Sequence, residues 1–176
     1  EIASCLVGSE MCIRAGIVAI LETATIENSK NTGNVIGSTN IGGIAGESKG
    51  TITQCRNDGQ VSKVVGVICK TVNLGGLVGK NGEAARLSNS KNYGNVNSET
   101  DTLVNLGGIC GILYNNSIVE LCENNGAISG SGKEIIPNED TNTNCASCTS
   151  NNGGSASTDD FGQLNIGIIY GKYQEI

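Results

Sequence analysis

The chain has 176 residues, enough for one domain with its own core, and a net charge of −6. It has no basic patch, 3% aromatic residues and no apolar run of about 18 residues, which argues against nucleic-acid binding and against a membrane-spanning segment. The 26 Gly residues, the single Pro and the β-branched residues between them favour many short strands joined by tight turns.

An N-terminal segment, residues 1–14, contains Cys5 and Cys12, whose close spacing predicts a local disulfide. The next residues, 15–19 (AGIVA), align with residues 42–46 (GGIAG), which belong to a repeated pattern. The repeats are therefore expected to begin at about residue 15, part-way through a unit.

One signature is an aliphatic residue, four further residues and then Asn-x-Gly-x-Val/Ile. Its turn residues are Asn31 and Gly33, Asn57 and Gly59, Asn92 and Gly94, and Asn124 and Gly126. We expect Gly to supply a positive φ and Asn to bond its own backbone, so each copy makes a turn. Stacked copies would lie about 4.8 Å apart, which would let the four Asn side chains form an amide ladder.

A second signature, Asn-Ile/Leu-Gly followed by aliphatic residues and Gly, begins at Asn40, Asn73, Asn105 and Asn165. Its first three copies predict a unit of about 32 residues. The longer last interval predicts an inserted surface loop at 130–160, which holds the only Pro and the pair Cys145 and Cys148. Residues 1–176 would then form one domain, with repeats at about 15–129 and 161–176.

Because no single unit can bury its own apolar face, neighbouring units must cover it. The sequence therefore predicts an all-β, stacked repeat structure, similar to a β-solenoid or β-helix. It would contain four imperfect units of about 32 residues, with incomplete half-units at both ends.

The two signatures together, over about 22–129 and 163–173, resemble the GLUG motif, a repeat of microbial secreted and cell-surface proteins. The resemblance implies a repetitive β-structure, often in adhesin-like or protease-associated proteins, and it transfers no catalytic residues. The family is usually poor in Cys, whereas this chain has eight.

The half-units at the two ends could complete each other between molecules, in a head-to-tail contact that forms rings or filaments. The candidate residues for this contact are Ile17, Val18, Ile20, Ile166, Ile168 and Ile169. Two alternatives remain: the ends pair within one chain, or the chain is a fragment of a longer array.

Eight Cys and no His favour disulfides over a metal site, and they favour a secreted or cell-surface location. The proposed pairs are Cys5–Cys12, Cys55–Cys69, Cys110–Cys122 and Cys145–Cys148. Asn115 begins a sequon for N-glycosylation.

Without His there is no Ser-His dyad, and the scattered carboxylates suggest no catalytic pair. We therefore expect a non-enzymatic protein without a cofactor or metal. The favoured function is a structural subunit of an extracellular filament or coat, with the chain itself as its partner and possible contacts to glycans. The alternative is an adhesin-like module that binds carbohydrate or another surface.

Overall fold

The computed structural model describes residues 14–64, 69–98, 103–114, 116–137, 145–151, 154–167 and 169–174. Within these ranges the chain forms 24 strands and no helix. The strands are mostly two to five residues long, as expected for a chain interrupted so often by Gly and Asn.

The chain winds through four coils of five strands each. Coil 1 contains β1 (Arg14–Ala15), β2 (Val18–Leu21), β3 (Thr25–Glu27), β4 (Lys30–Asn31) and β5 (Val35–Gly37). Coil 2 contains β6 (Asn40–Gly42), β7 (Ala45–Ser48), β8 (Thr51–Thr53), β9 (Arg56–Asn57) and β10 (Val61–Lys63). Coil 3 contains β11 (Thr71–Gly75), β12 (Val78–Asn81), β13 (Arg86–Ser88), β14 (Lys91–Asn92) and β15 (Val96–Ser98). Coil 4 contains β16 (Leu103–Gly107), β17 (Cys110–Tyr114), β18 (Ile118–Glu120), β19 (Glu123–Asn124) and β20 (Ile128–Pro137).

Equivalent strands of successive coils pair in parallel, so the coils have five faces, which we number 1 to 5 in strand order. The register brings both signatures into line. On face 1 Asn73 lies opposite Asn40 and Asn105, and on face 4 Asn57 lies opposite Asn31 and Asn92. The predicted all-β, stacked repeat structure is confirmed.

A fifth coil covers coil 4, and its strands occur in a permuted order along the chain. On faces 3 and 4, β21 (Cys145–Ala146) pairs with β18 and β22 (Thr149–Ser150) pairs with β19. The first part of β23 (Gly154–Gly167) then pairs with β20 on face 5. The second part of β23 pairs with β16 on face 1, and β24 (Tyr170–Gln174) pairs with β17 on face 2.

The expected surface loop at 130–160 differs from this structure in its described parts. Residues 130–137 continue β20, and β21, β22 and residues 154–160 are strands of coil 5. The segment is strand-forming because Cys145 and Cys148 have the spacing of Val119 and Cys122, so the same corner can form again.

The expected half-units at the ends also need correction. Coil 1 has all five strands, and residues 163–174 complete coil 5 together with residues 145–158 of the same chain. In addition, residues 134–137 pair with residues 163–166. The C-terminal residues therefore complete a coil with residues of the same chain, and β21, β22 and β24 of this coil are the last described strands of their sheets.

The core consists of two clusters of aliphatic side chains that run along the stack. One cluster includes Ile44, Leu77 and Ile109, and the other includes Val61 and Leu106. These side chains are fully buried because alternate residues of each short strand point inwards and stack on their equivalents above and below.

Each coil turns one corner with a residue in the left-handed region, just before face 4. These residues have φ of 48° to 54° and are Asn28, Gln54, Asn89, Leu121 and Ser147. Gly33 and Gly59 lie outside the left-handed region, so the expectation of a positive φ at the Asn-x-Gly turns is wrong. Gly is required there for space, because a Cβ at Gly59 would overlap the carbonyl oxygen of Gly33 in the coil below.

Candidate assembly surface

The predicted amide ladder forms on face 4 and runs through the whole stack. Asn31 Nδ2 donates to Asn57 Oδ1 at 2.8 Å, and Asn57 Nδ2 donates to Asn92 Oδ1 at 2.9 Å. Asn92 continues to Asn124 at 2.8 Å, and Asn124 Nδ2 donates to Ser150 Oγ at 3.1 Å. All donors point towards the C-terminal coil, so the ladder has a direction.

Each ladder Asn also holds its own turn. Asn57 Nδ2 donates to the carbonyl oxygen of Gly59 at 2.8 Å, and Gly59 N–H donates back to Asn57 Oδ1 at 3.2 Å. The expectation that the turn Asn bonds its own backbone is confirmed. Both backbone partners belong to the Gly two residues later. One side chain thus fixes the turn and joins the coils.

A second ladder on face 1 points the other way. Asn105 Nδ2 donates to Asn73 Oδ1 at 2.6 Å, and Asn73 Nδ2 donates to Asn40 Oδ1 at 2.7 Å. Asn40 Nδ2 in turn donates to Glu47 Oε2 at 3.2 Å. The two ladders therefore leave different chemical groups at the two ends of the stack.

None of the described residues forms a coil over the outer face of coil 1. Ile17 is 36% exposed, whereas Ile44, at the same position in coil 2, is 0% exposed. Val18 is partly buried against the core, and Ile20 is exposed on the outside of face 2 rather than at the end. Ile17 is thus the predicted end residue whose exposure comes from the lack of a coil below it among the described residues.

At the C-terminal end, the described residues Ile166 and Ile169 are at least partly buried. Ile169 is only 5% exposed because its carbonyl accepts hydrogen bonds from Ile109 and Cys110 and its side chain joins the core. Ile166 is partly buried against the core, so neither Ile166 nor Ile169 forms the open apolar end that was expected. The strands β24, β21 and β22 are the last described strands of their sheets.

The outside of face 4 is charged. Its column of stacked side chains is Lys30, Arg56, Lys91 and Glu123. Asp58 lies 2.8 Å from Lys30 and 2.5 Å from Arg56, and its hydrogen bond with Arg56 lowers the pKa of the carboxyl group. The Arg56 guanidinium also stacks on the Tyr93 ring, 4.2 Å from its centroid. Together with the ion pair of Lys91 Nζ and Glu123 Oε2, 2.8 Å apart, these contacts compensate three adjacent positive charges on the side of the stack.

A surface pocket of about 390 Å³ lies beside face 2. It is lined by Glu47, Lys49, Lys80, Gly82, Glu83, Ala84 and Tyr114. Lys80 Nζ is 2.9 Å from Glu47 Oε1 and 5.5 Å from the centroid of the Tyr114 ring, so its charge is already compensated.

No disulfide links the described cysteines Cys55, Cys69, Cys110, Cys122 and Cys148. The proposed Cys55–Cys69 pair is not formed, because Cys55 belongs to one core cluster and Cys69 packs against the other. The Cys122 thiol donates to the carbonyl oxygen of Glu120 at 3.3 Å and is not bonded to Cys110. Cys5, Cys12, Asn115 and Ile168 lie outside the described residues, and for Cys145 only the backbone is described.

In the sequence, Ser29, Cys55, Ser90 and Cys122 share one repeat position, two residues before the ladder Asn, and the structure adds Cys148 of coil 5 to this column. One feature of the fold was not expected from the sequence. A buried pair, Ser48 and Asn81, has side-chain atoms without a hydrogen-bond partner among the described residues. Nothing in the repeat pattern indicates this pair, because Leu21 and Leu113 occupy the same column.

In the part of the chain that the structure describes, no helix is long and apolar enough to cross a membrane. The same residues include no group of three or more His, Cys, Asp or Glu side chains placed to hold a metal ion. No family model, no curated protein and no solved structure matches the chain.

Proposed function

We propose that the protein is a structural subunit that stacks head to tail into an extracellular filament or coat. The observation that carries the proposal is the exposure of Ile17 on coil 1, over which the described residues form no further coil, although its equivalents in the next coils are buried. An apolar position of this kind is stabilised when another coil covers it.

The two ends of one molecule suit each other in strand direction. The outer edges of β2, β3 and β4 on coil 1 lie on the same three faces as the outer edges of β24, β21 and β22 on coil 5. All strands of a face are parallel, so on these three faces coil 5 of one copy can continue the sheets into coil 1 of the next copy. Such a contact is heterologous and open-ended, which produces filaments rather than closed dimers.

A substitution at Gly33 tests this docking sterically. In coils 2 to 4 the equivalent Gly lies against the carbonyl oxygen of the coil below, as Gly59 does against Gly33. At Gly33 itself an added Cβ would meet only Asn31 Oδ1, at 3.7 Å. Gly33→Ala should therefore fold normally and yet obstruct a coil that docks from outside.

The experiment is electron microscopy and sedimentation of the native protein, of Gly33→Ala and of the control Thr32→Ala. Thr32 is the exposed neighbour of Gly33. The native protein and Thr32→Ala should form filaments with a rise of about 24 Å per subunit, from five coils of about 4.8 Å each. Gly33→Ala should remain monomeric with an unchanged circular dichroism spectrum. Native protein that stays monomeric at high concentration, or Gly33→Ala filaments like those of the native protein, would overturn the proposal.

An extracellular location is part of this proposal. The resemblance to the GLUG repeat and the eight Cys support it, since disulfides persist outside the cytosol. Mass spectrometry of material from the native source, for disulfides and for a glycan on Asn115, tests the location.

The pocket beside face 2 favours a second candidate function, an adhesin-like module that binds carbohydrate. It combines one aromatic ring, Tyr114, with the carboxylates of Glu47 and Glu83, which are groups that can stack on and hydrogen-bond to a sugar. A glycan array with the native protein and Tyr114→Ala tests it, and identical signals from both proteins would exclude this pocket.

A further inference from the structure

The inner corner before face 4 carries a column of five small residues, one per coil: Ser29, Cys55, Ser90, Cys122 and Cys148. Four of them bond the carbonyl oxygen two residues earlier. The Cys55 thiol lies 3.2 Å from Thr53 O, and the Ser90 hydroxyl lies 2.7 Å from Ser88 O. Since Ser and Cys make the same contact, the corner itself does not require a thiol.

Only two neighbours in this column are both Cys. The register of β19 on β22 places Cys122 and Cys148 on adjacent coils, and the amide of Thr149 donates to the carbonyl oxygen of Cys122 at 2.9 Å. Equivalent residues of adjacent parallel strands lie about 4.8 Å apart. That spacing is within the roughly 4.4–6.8 Å between Cα atoms that a disulfide spans.

The two residues also share one part of the core, since Cys122 belongs to a core cluster against which Cys148 packs. Interaction with Cys148 and burial raise the pKa of the Cys122 thiol. Cys122 is buried in the core, whereas Cys148 is only partly buried. Reaction with an oxidant is therefore expected to begin at Cys148.

We propose that Cys122 and Cys148 form a disulfide that fastens coil 5 to coil 4. The oxidant is a small disulfide such as oxidised glutathione. The Cys148 thiolate attacks one of its sulfurs, forms a mixed disulfide and releases one glutathione thiolate. The Cys122 sulfur, losing its proton, then attacks Cys148 Sγ and releases the second glutathione. Two protein thiols are oxidised by two electrons, and one disulfide is reduced to two thiols.

This disulfide would reinforce the last step of the stack, between coil 4 and coil 5. Coil 5 is the coil that the chain builds in permuted order, from residues 145–158 and 163–174. Its ladder position is occupied by Ser150, which accepts a longer bond, 3.1 Å, than those inside the Asn ladder. A covalent link beside this weaker step keeps the last coil closed. The inference does not depend on the proposed filament.

A third thiol, Cys110, faces the same part of the core. It is buried, and burial, with a smaller contribution from Cys148, raises the pKa of its thiol. Cys110 therefore competes with Cys122 for Cys148, and an experiment must distinguish the two disulfides.

The test uses the full chain, equilibrated in glutathione buffer, alkylated, digested without reduction and analysed by mass spectrometry. The variants are Cys148→Ser and the matched control Cys55→Ser. Cys55 lies in the same column and makes the same type of carbonyl contact, but both of its neighbours in the column are Ser. Limited proteolysis at residues 145–174, with and without dithiothreitol, measures how firmly coil 5 is held.

We expect a Cys122–Cys148 peptide in the native protein and in Cys55→Ser. Reduction should then increase cleavage of coil 5 by at least about tenfold, in line with the usual effect of closing a loop. Cys148→Ser should lose both the peptide and the effect of reduction while its circular dichroism spectrum is retained. The proposal is overturned if Cys122 is alkylated as a free thiol in oxidised native protein, or if Cys148 is joined to Cys110 or Cys145 instead.

Discussion

Replacing Asn92 by Ala removes the middle of the face 4 ladder. The Asn92 side chain is fully buried and takes part in three hydrogen bonds. It accepts from Asn57 at 2.9 Å, and it donates to Asn124 Oδ1 and to the carbonyl oxygen of Gly94, both at 2.8 Å. After truncation, the Gly94 carbonyl loses this donor in a place that water does not reach, because Gly94 is buried.

The expected loss of stability follows from these contacts. A buried neutral hydrogen bond contributes about 1 kcal/mol net, and a buried group left without a partner costs roughly 1–3 kcal/mol. The missing amide also leaves a void against Gly76, whose backbone the Asn92 side chain contacts closely. We expect the free energy of unfolding to fall by about 3–5 kcal/mol.

Urea unfolding followed by circular dichroism measures this change, with two comparisons. Asn31→Ala removes the same residue type from coil 1, where Gly33 is exposed and water can replace the lost bonds, so its cost should be about 1–2 kcal/mol. Gln60→Ala, at an exposed position, should stay within about 0.5 kcal/mol of the native protein. If Asn92→Ala costs no more than Asn31→Ala, the ladder does not hold the inner coils together and the reasoning is refuted.

Three further changes test other parts of the stack. Asn81→Leu should raise the free energy of unfolding, measured with urea, by about 1–3 kcal/mol. It removes buried polar atoms that have no partner and introduces the residue type of Leu113, which lies in the same column. A loss of stability would mean that Asn81 has a partner in solution. Leu121→Asn should add about 0.5–1 kcal/mol, since Leu121 is 56% exposed and has a φ of 52° that Asn tolerates better; no gain would exclude strain at this corner. Hydrogen bonding to Lys91 lowers the pKa of Glu123 in the folded chain, so this carboxylate stabilises the fold above its ordinary pKa and ceases to do so as the pH falls through the lowered value. The thermal midpoint of the native protein should therefore decrease more than that of Glu123→Gln between about pH 5 and pH 3, and equal decreases would contradict the ion pair.

Much of the fold could be predicted because the repeat fixes the register. Once Asn40, Asn73 and Asn105 recur at one interval, parallel stacking places identical residues opposite each other, and the amide ladder on face 4 follows from the same spacing. Burial of Ile44 and Leu77 follows in turn, since they occupy one position of successive coils. These features depend on local pattern and spacing, which a sequence contains directly.

The fifth coil could not be predicted with the same rules. Its face 4 strand has Ser150 in place of Asn, and β23 has Gly154 where coil 4 has Ile128. Because both the Asn and the aliphatic residue of the repeat are replaced, the sequence of this segment resembles a polar loop. The order of the coil 5 strands along the chain depends on whether residues 134–137 or residues 163–167 pair with β16. This depends on tertiary packing, which the repeat pattern does not contain.

The sequence pattern also predicts the wrong role for the turn Gly, for a related reason. A positive φ is a property of one residue, whereas the overlap that a Cβ at Gly94 would make with the carbonyl oxygen of Gly59 exists only between coils. A sequence rule for turns takes account of φ but not of a contact between coils. The left-handed corner lies instead at Asn28, Gln54 and their equivalents, three residues before the ladder Asn.

The two signatures are the two sides of one contact across the coil. A Cβ at Gly43 would overlap the amide of Asn57, and a Cβ at Gly76 would overlap the amide of Asn92, so the second Gly of one signature makes room for the Asn of the other. Within a coil, the pair can change only together.

Coil 5 follows this rule. In the sequence, Asn165-Ile166-Gly167 is followed by Ile168, where Asn105-Leu106-Gly107 is followed by Gly108. The pairing of β19 with β22 sets Ser150 against Asn124. The last copy of the two signatures therefore has a larger residue in place of Gly and a smaller residue in place of Asn. This paired change in the sequence favours a common coil for the segments that contain β22 and β24.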